Sequence, residues 1–299
     1  MAFIELSTIT FTDQNDIVSV FEQDDTILNT GITNTLAGND TITAIGNRTA
    51  ILNFYNAVLD MGDGDDIITG TGSFIAIFNQ GGIINAGNGN DIITGTTIQH
   101  PEPLPVPTHA INNQGGTIDT GNGNDIITGS GNETGDIGIL NTLNSSVAVI
   151  NTGEGNDTIT GTSIDTWGIY NSDSIIDTGD GNDIITGGGV GIYNDSTINT
   201  GNGKDSIIAD GGFEGSGNVF LGNGKDYLKG FGSGNFNGGN GKDTLELTSG
   251  SYTIGISGAV VSFTKNSIIM NTSEFEKLIA GGTTYDFSNL TDGQTIYVA

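Results

Sequence analysis

Along most of this chain, single large apolar residues recur at fixed offsets from a glycine-rich polar turn. Three residues before the first glycine of each turn stand Leu59, Ile84, Ile118, Ile150, Ile176, Ile198 and Val219. Six residues after it stand Ile68, Ile93, Ile127, Ile159, Ile185, Ile207, Leu228 and Leu245. Both columns are expected to point inward. A third set, Ile77, Ile111, Ile139, Ile169 and Ile192, stands two residues before Asn79, Asn113, Asn141, Asn171 and Asn194. Those asparagines predict a stacked amide ladder, because each side chain both donates and accepts, and Asn218 and Asn235 are expected to continue it. Short apolar-polar alternations are strands. A unit too small to bury its own apolar side must stack on its neighbours, which predicts a solenoid.

Between the first two columns lies the turn, Gly-x-Gly-x-Asp-x-(Ile/Leu), which begins at Gly62, Gly87, Gly121, Gly153, Gly179, Gly201, Gly222 and Gly239. Its aspartates, Asp66, Asp91, Asp125, Asp157, Asp183, Asp205, Asp226 and Asp243, are 25, 34, 32, 26, 22, 21 and 17 residues apart. Stacked strands lie about 4.8 Å apart, so the carboxylates would form a column. At an effective dielectric of ~20 each neighbouring pair costs on the order of 3 kcal/mol, and several such costs rival the stability of a domain. The chain has 7 Lys plus Arg against 35 Asp plus Glu, a formal net charge of -28. A bound cation is therefore expected. Carboxylate and carbonyl oxygens, with no Cys and two His, select Ca²⁺ over transition metals. Glycine permits the left-handed backbone that aims turn carbonyls at one point.

The repeat resembles the RTX (repeats-in-toxin) nonapeptide, Gly-Gly-x-Gly-x-Asp-x-U-x with U a large apolar residue. In one copy Gly179, Gly181, Asp183 and Ile185 fill the second, fourth, sixth and eighth places, and the resemblance spans about residues 61–247. It implies Ca²⁺ bound in stacked turns of a parallel β-roll. It also implies an extracellular protein that leaves the cell by type I secretion on an uncleaved C-terminal signal. Two departures stand out. The first glycine is replaced by Met61, Ala86, Thr120, Thr152, Thr178, Thr200 and Leu221, surviving as Gly238, and one motif occurs per coil instead of a tandem run. Metal turns are thus expected on one edge.

These readings predict an all-β chain, a right-handed parallel β-helix or β-roll solenoid with a non-repetitive C-terminal β cap. Residues 1–46 read as degenerate N-terminal coils, where Asp16, Asp24-Asp25 and Gly38-Asn39-Asp40 echo the motif with weak or no metal binding. Residues 47–247 form the solenoid, tapering as coils shorten toward a two-strand roll. Residues 248–299 form the cap and a possible secretion signal, with a hairpin around Ser257-Gly258, a short helical turn over Ser273–Ile279 and a closing strand Thr295–Ala299. The proline run between His100 and His109 reads as a loop that gives neither histidine a fixed geometry.

Acidity excludes nucleic-acid and anionic-membrane binding. The N-terminus lacks the basic start and apolar core of a cleavable signal, and no stretch has the length of a membrane span. With one arginine, Arg48, and no cysteine, no catalytic constellation assembles, and a non-enzyme is expected. Lys204, Lys225 and Lys242 read as charge compensation for the aspartates, and Asp65-Asp66 as adjacent ligands. Ile67, Ile92, Ile126 and Ile184 are expected to face outward, interrupted by Thr158, either for packing against a partner or another copy or as a stripe shielded by threonines. A secreted calcium-binding structural or surface solenoid is the leading reading. A polysaccharide-binding or lyase/epimerase-like module is an alternative. So is an adhesive or ice-binding module, since Thr69, Thr94, Thr128, Thr160 and Thr186 form a regular ladder.

Overall fold

Through most of the chain each repeat closes one coil of three short strands, as in Val149–Asn151, Thr158–Thr162 and Ile169–Ser172, before Ile175–Asp177 opens the next. The structure, a computed structural model, describes residues 3–21, 26–99 and 107–299. The readings of Asp24, Asp25, His100 and the prolines before Pro107 lie outside these. Stacked coils build three sheets of 9, 12 and 13 strands among the described residues. We call them the asparagine, threonine and closing sheets. Their coil-to-coil pairing is parallel and in register: Ile84 pairs with Leu59 and Ile118, Ile93 with Ile68 and Ile127, and Ile111 with Ile77 and Ile139. All three apolar columns are buried. The chain is a parallel β-helix.

A fourth inward position lies at the corner between the threonine and asparagine sheets. Glycines follow the threonines there, and a Cβ on Gly95 would stand 2.3 Å from the Ala110 carbonyl oxygen. The two sheets meet too closely there for a side chain in the middle coils, and the column admits alanine at Ala44 and Ala209 toward its two ends.

The taper has a structural form. The asparagine sheet ends at Phe213–Glu214, while the other two continue. A small four-stranded ladder, Asp180–Gly181 to Asn240–Gly241, runs along the edge of the last coils. At the other end, Phe3–Glu5 and Ile17–Val20 stack in register on the following coil.

At the C-terminus, Gly250–Ser257 and Val260–Lys265 form the antiparallel hairpin. The helical turn expected over Ser273–Ile279 is instead the end of one strand, a bend, and the strand Lys277–Ala280. Leu278 pairs with Leu245 and Ala280 with Leu247, so extending the buried columns outweighs local helix formation. Thr295–Val298 pairs antiparallel to Gly250–Thr253 at the end of the closing sheet. Such a strand covers an edge that would otherwise template further stacking.

Candidate metal rim

The turn connecting the closing sheet to the threonine sheet must reverse the chain within about six residues while lying on an identical turn above and below. The second-place glycines have positive φ, +94° at Gly62 and +82° at Gly179, and the fourth-place glycines reach +143° at Gly89 and +154° at Gly181. Close approach makes the same demand. A Cβ on Gly123 would stand 1.5 Å from the Gly89 carbonyl oxygen, and one on Gly181 would stand 1.4 Å from that of Gly155 and 3.2 Å from Asp183 Oδ1. The turn carbonyls thus point along the axis into the space the aspartates share.

In that frame all eight predicted aspartates are brought into one buried column, none more than 1% exposed. The Oδ1 of each accepts a main-chain N–H of the preceding coil. The Asp66 N–H donates to Asp91 Oδ1 at 2.7 Å, Asp91 N–H to Asp125 at 2.8 Å, and Asp125 N–H to Asp157 at 2.8 Å. The pattern continues through Asp183, Asp205, Asp226 and Asp243 at 2.8–2.9 Å. The second oxygen, Oδ2, is buried without a hydrogen-bond partner at every one of these aspartates. Burial, opposed by the accepted N–H and reinforced by neighbouring carboxylates, pushes Asp91 up to about 7 and Asp243 up to about 6, and it raises Asp205 to about 7 and Asp183 to about 6 against the further pull of the Thr200 and Thr178 hydroxyls. An ionised carboxylate with one oxygen orphaned in low dielectric costs several kcal/mol unless a cation or proton reaches it.

Protein cations do not reach it. Lys204, Lys225 and Lys242 are exposed, and among the described residues the one ion pair is Lys229–Asp210 at 3.4 Å. The expected charge compensation is therefore corrected: the fifth place of the turn points to solvent while the sixth points in. The same geometry separates Asp65 from Asp66. Asp65 faces out, where the Asn90 N–H and amide hold its carboxyl below the usual range. The first-place residues Met61, Ala86 and Thr120 through Leu221 are buried, which explains why glycine is replaced there. Among the described residues no three acidic or histidine side chains gather at one point. Each coil supplies one carboxylate.

Two rim residues lie outside the eight predicted ligands, one of them expected to bind metal weakly or not at all. Asp40 joins the column, 1% exposed, its Oδ1 accepting from Asp16 N–H at 2.7 Å and its Oδ2 orphaned. Leu36 occupies the second glycine's place at φ 78°, which hid the motif, although Gly38-Asn39-Asp40 carried half of it. At the other end Glu276 Oε2 accepts from Asp243 N–H at 2.7 Å.

The amide ladder is present and self-contained. Nδ2 of each asparagine donates to Oδ1 of the next, from Asn79 through Asn113, Asn141 and Asn171 to Asn194, at 2.8–2.9 Å. Asn29 and Asn53 extend it upstream. Asn218 and Asn235 do not continue it. They pair with each other on the closing sheet, exposed to solvent, while the register of Tyr193 with Glu214 puts Gly215 at the ladder's next place. His109 is also corrected: it lies in the strand His109–Gln114, opposite Ile75 and Ile137, and burial holds it down at about 4.

No family model matches the chain, and no curated protein does. It is similar to the X-ray crystal structure of a hyperactive, Ca²⁺-dependent, β-helical antifreeze protein from an Antarctic bacterium, at 16% identity and TM-score 0.37 over 97% of this chain and 95% of that one. The parallel β-helix is read from this chain's own ladders.

Proposed function

We propose that this chain is an RTX-like, calcium-binding structural solenoid in which the rim aspartates hold Ca²⁺ between successive coils. The observation that carries the reading is the row of nine buried Oδ2 atoms without partners, from Asp40 to Asp243. The donor set fits a hard cation, with carboxylate oxygens and axially directed glycine carbonyls and neither thiolate nor imidazole. Asp66, Asp91, Asp125, Asp157, Asp183, Asp205, Asp226 and Asp243, with Asp40, would hold the ions, and Gly64, Gly89, Gly123, Gly155 and Gly181 would add carbonyl oxygens. The ion supplies the positive charge that the column lacks. The residues themselves set the spacing, exclude side chains from the gap and fix each carboxylate through its accepted N–H.

Binding to the folded state alone adds about 2.7 kcal/mol per site at a hundredfold excess over Kd, so several weak sites can decide whether the solenoid forms. Weak sites suit extracellular millimolar Ca²⁺, consistent with secretion, and no described helix is long and apolar enough to cross a membrane. The role is structural and non-enzymatic on this reading. Circular dichroism of metal-free protein, titrated with Ca²⁺ and separately with Mg²⁺, tests it. A cooperative gain of β signal with Ca²⁺ is expected, and an unchanged spectrum in the presence of chelator would count against it.

A further inference from the structure

The outward side of the threonine sheet repeats one short pattern of side chains from coil to coil. Across six consecutive strands, Thr41–Gly46 to Ile184–Gly187, its outward positions are all Thr, Ser or Ile. In a protein with 35 acidic residues, that stretch of face carries no charge. Charged side chains return at Lys229 and Glu246. The middle column is Thr43, Thr69, Thr94, Thr128, Thr160 and Thr186, each paired with the next in strict register. On one side runs the partly exposed isoleucine column, with Ile67 37%, Ile126 39% and Ile184 42% exposed. On the other runs a second hydroxyl column from Thr71 to Thr162.

Three properties follow. Hydroxyls and methyls repeat about 4.8 Å apart along the axis and about 6.6 Å apart across the strands. Nearly every side chain is β-branched and stiff at χ1, so the array is ordered before anything binds and loses little entropy on binding. Finally, the face is too small for a stable dimer. Six strands at that spacing and three outward residues per strand cover on the order of 400–500 Å², against about 800 Å² per partner in a standard interface. A glycan site would be expected to offer aromatic platforms or charges, and this stretch offers neither.

We propose that this face binds an ordered water lattice, the surface of an ice crystal. Hydroxyls at a spacing near that of the oxygen rows in hexagonal ice hold water in register, while the flanking methyls confine it. The proposal rests on the fold and not on calcium being the ion at the rim.

The test is thermal hysteresis of the full chain in Ca²⁺, with circular dichroism and sedimentation velocity on the same samples. Activity is expected in the native protein, with at least a tenfold fall at equal concentration in Thr128→Lys, whose outward side chain should leave the β signal unchanged. Asn124→Lys is the control, because that outward rim place already carries lysine at Lys204, Lys225 and Lys242, and it should keep full activity. Absence of hysteresis in folded protein would overturn the proposal. So would loss in Asn124→Lys with retention in Thr128→Lys, or an inactive dimer that Thr128→Lys dissolves. Activity with a β signal indifferent to chelator would leave this inference standing and sink the calcium reading instead.

Discussion

Two polar ladders run side by side through most of this solenoid, asparagines from Asn29 to Asn194 and aspartates from Asp40 to Asp243, both buried, yet they differ in whether they are complete. The asparagine ladder closes on itself: each Nδ2 as far as Asn171 finds the next Oδ1, the last, on Asn194, reaches the Asn218 carbonyl, and several others also reach a main-chain carbonyl, as Asn113 does with Val149 at 2.9 Å. An amide can be donor and acceptor at once. The aspartate column has acceptors alone, and each carboxylate spends one oxygen on a main-chain N–H and leaves the other bare. Stacking identical residues satisfies them when the side chain carries both halves of a hydrogen bond. Otherwise it creates a demand for an outside cation.

Exchanging residues between the ladders should expose that difference. Asn113→Asp would put a carboxylate where both neighbours are arranged for amides, leaving a buried charge without a cation. A loss of about 3–5 kcal/mol is expected, read as a fall in urea midpoint with or without Ca²⁺. The converse, Asp125→Asn, should have opposite signs in the two conditions. In metal-free buffer it removes a buried charge and supplies a donor, stabilising by about 1 kcal/mol. In Ca²⁺ it removes a ligand and should lower the midpoint. A loss in both conditions would mean that the column needs no cation.

Protons offer a third way to probe the contrast. The aspartate carboxyls are raised in the folded state, to about 7 at Asp91 and Asp205 and about 6 at Asp125 and Asp183. The folded metal-free chain therefore binds more protons than the unfolded one above the ordinary carboxylate range. Its stabilisation by those protons is fully present near pH 4 and is lost as pH rises to about 7. Thermal melts in metal-free buffer should fall across that window, and Ca²⁺ should offset the fall by taking the same oxygens. The smallest effect belongs to the rim's exterior: Lys204→Ala should change stability by no more than about 0.5 kcal/mol, since the side chain is exposed and pairs with no aspartate.

Much of this was legible in the sequence because stacking turns three-dimensional neighbours into fixed offsets. The three apolar columns, the eight aspartates and the ladder from Asn79 to Asn194 could be aligned through the turn glycines. Legibility failed where the offsets changed. Leu36 stands where a glycine belongs, so Asp40 read as a relic, though its carboxyl is as buried as the others. The ladder's place after Asn194 falls on Gly215, so Asn218 and Asn235 lie on another sheet while keeping a familiar local pattern. Inside the turn, alternation sends the fifth residue out and the sixth in, and composition does not reveal which carboxylate is buried. Hence the pattern places Asp65 and Lys204 beside a column that they do not face.

The difference between the ladders can be seen directly by diffraction. Crystals grown with Ca²⁺, measured at a wavelength where calcium scatters anomalously, should give a row of peaks beside the Oδ2 atoms of Asp40 through Asp243 and none along Asn29 to Asn194. Water alone beside those oxygens, with the coils still stacked, would contradict the account.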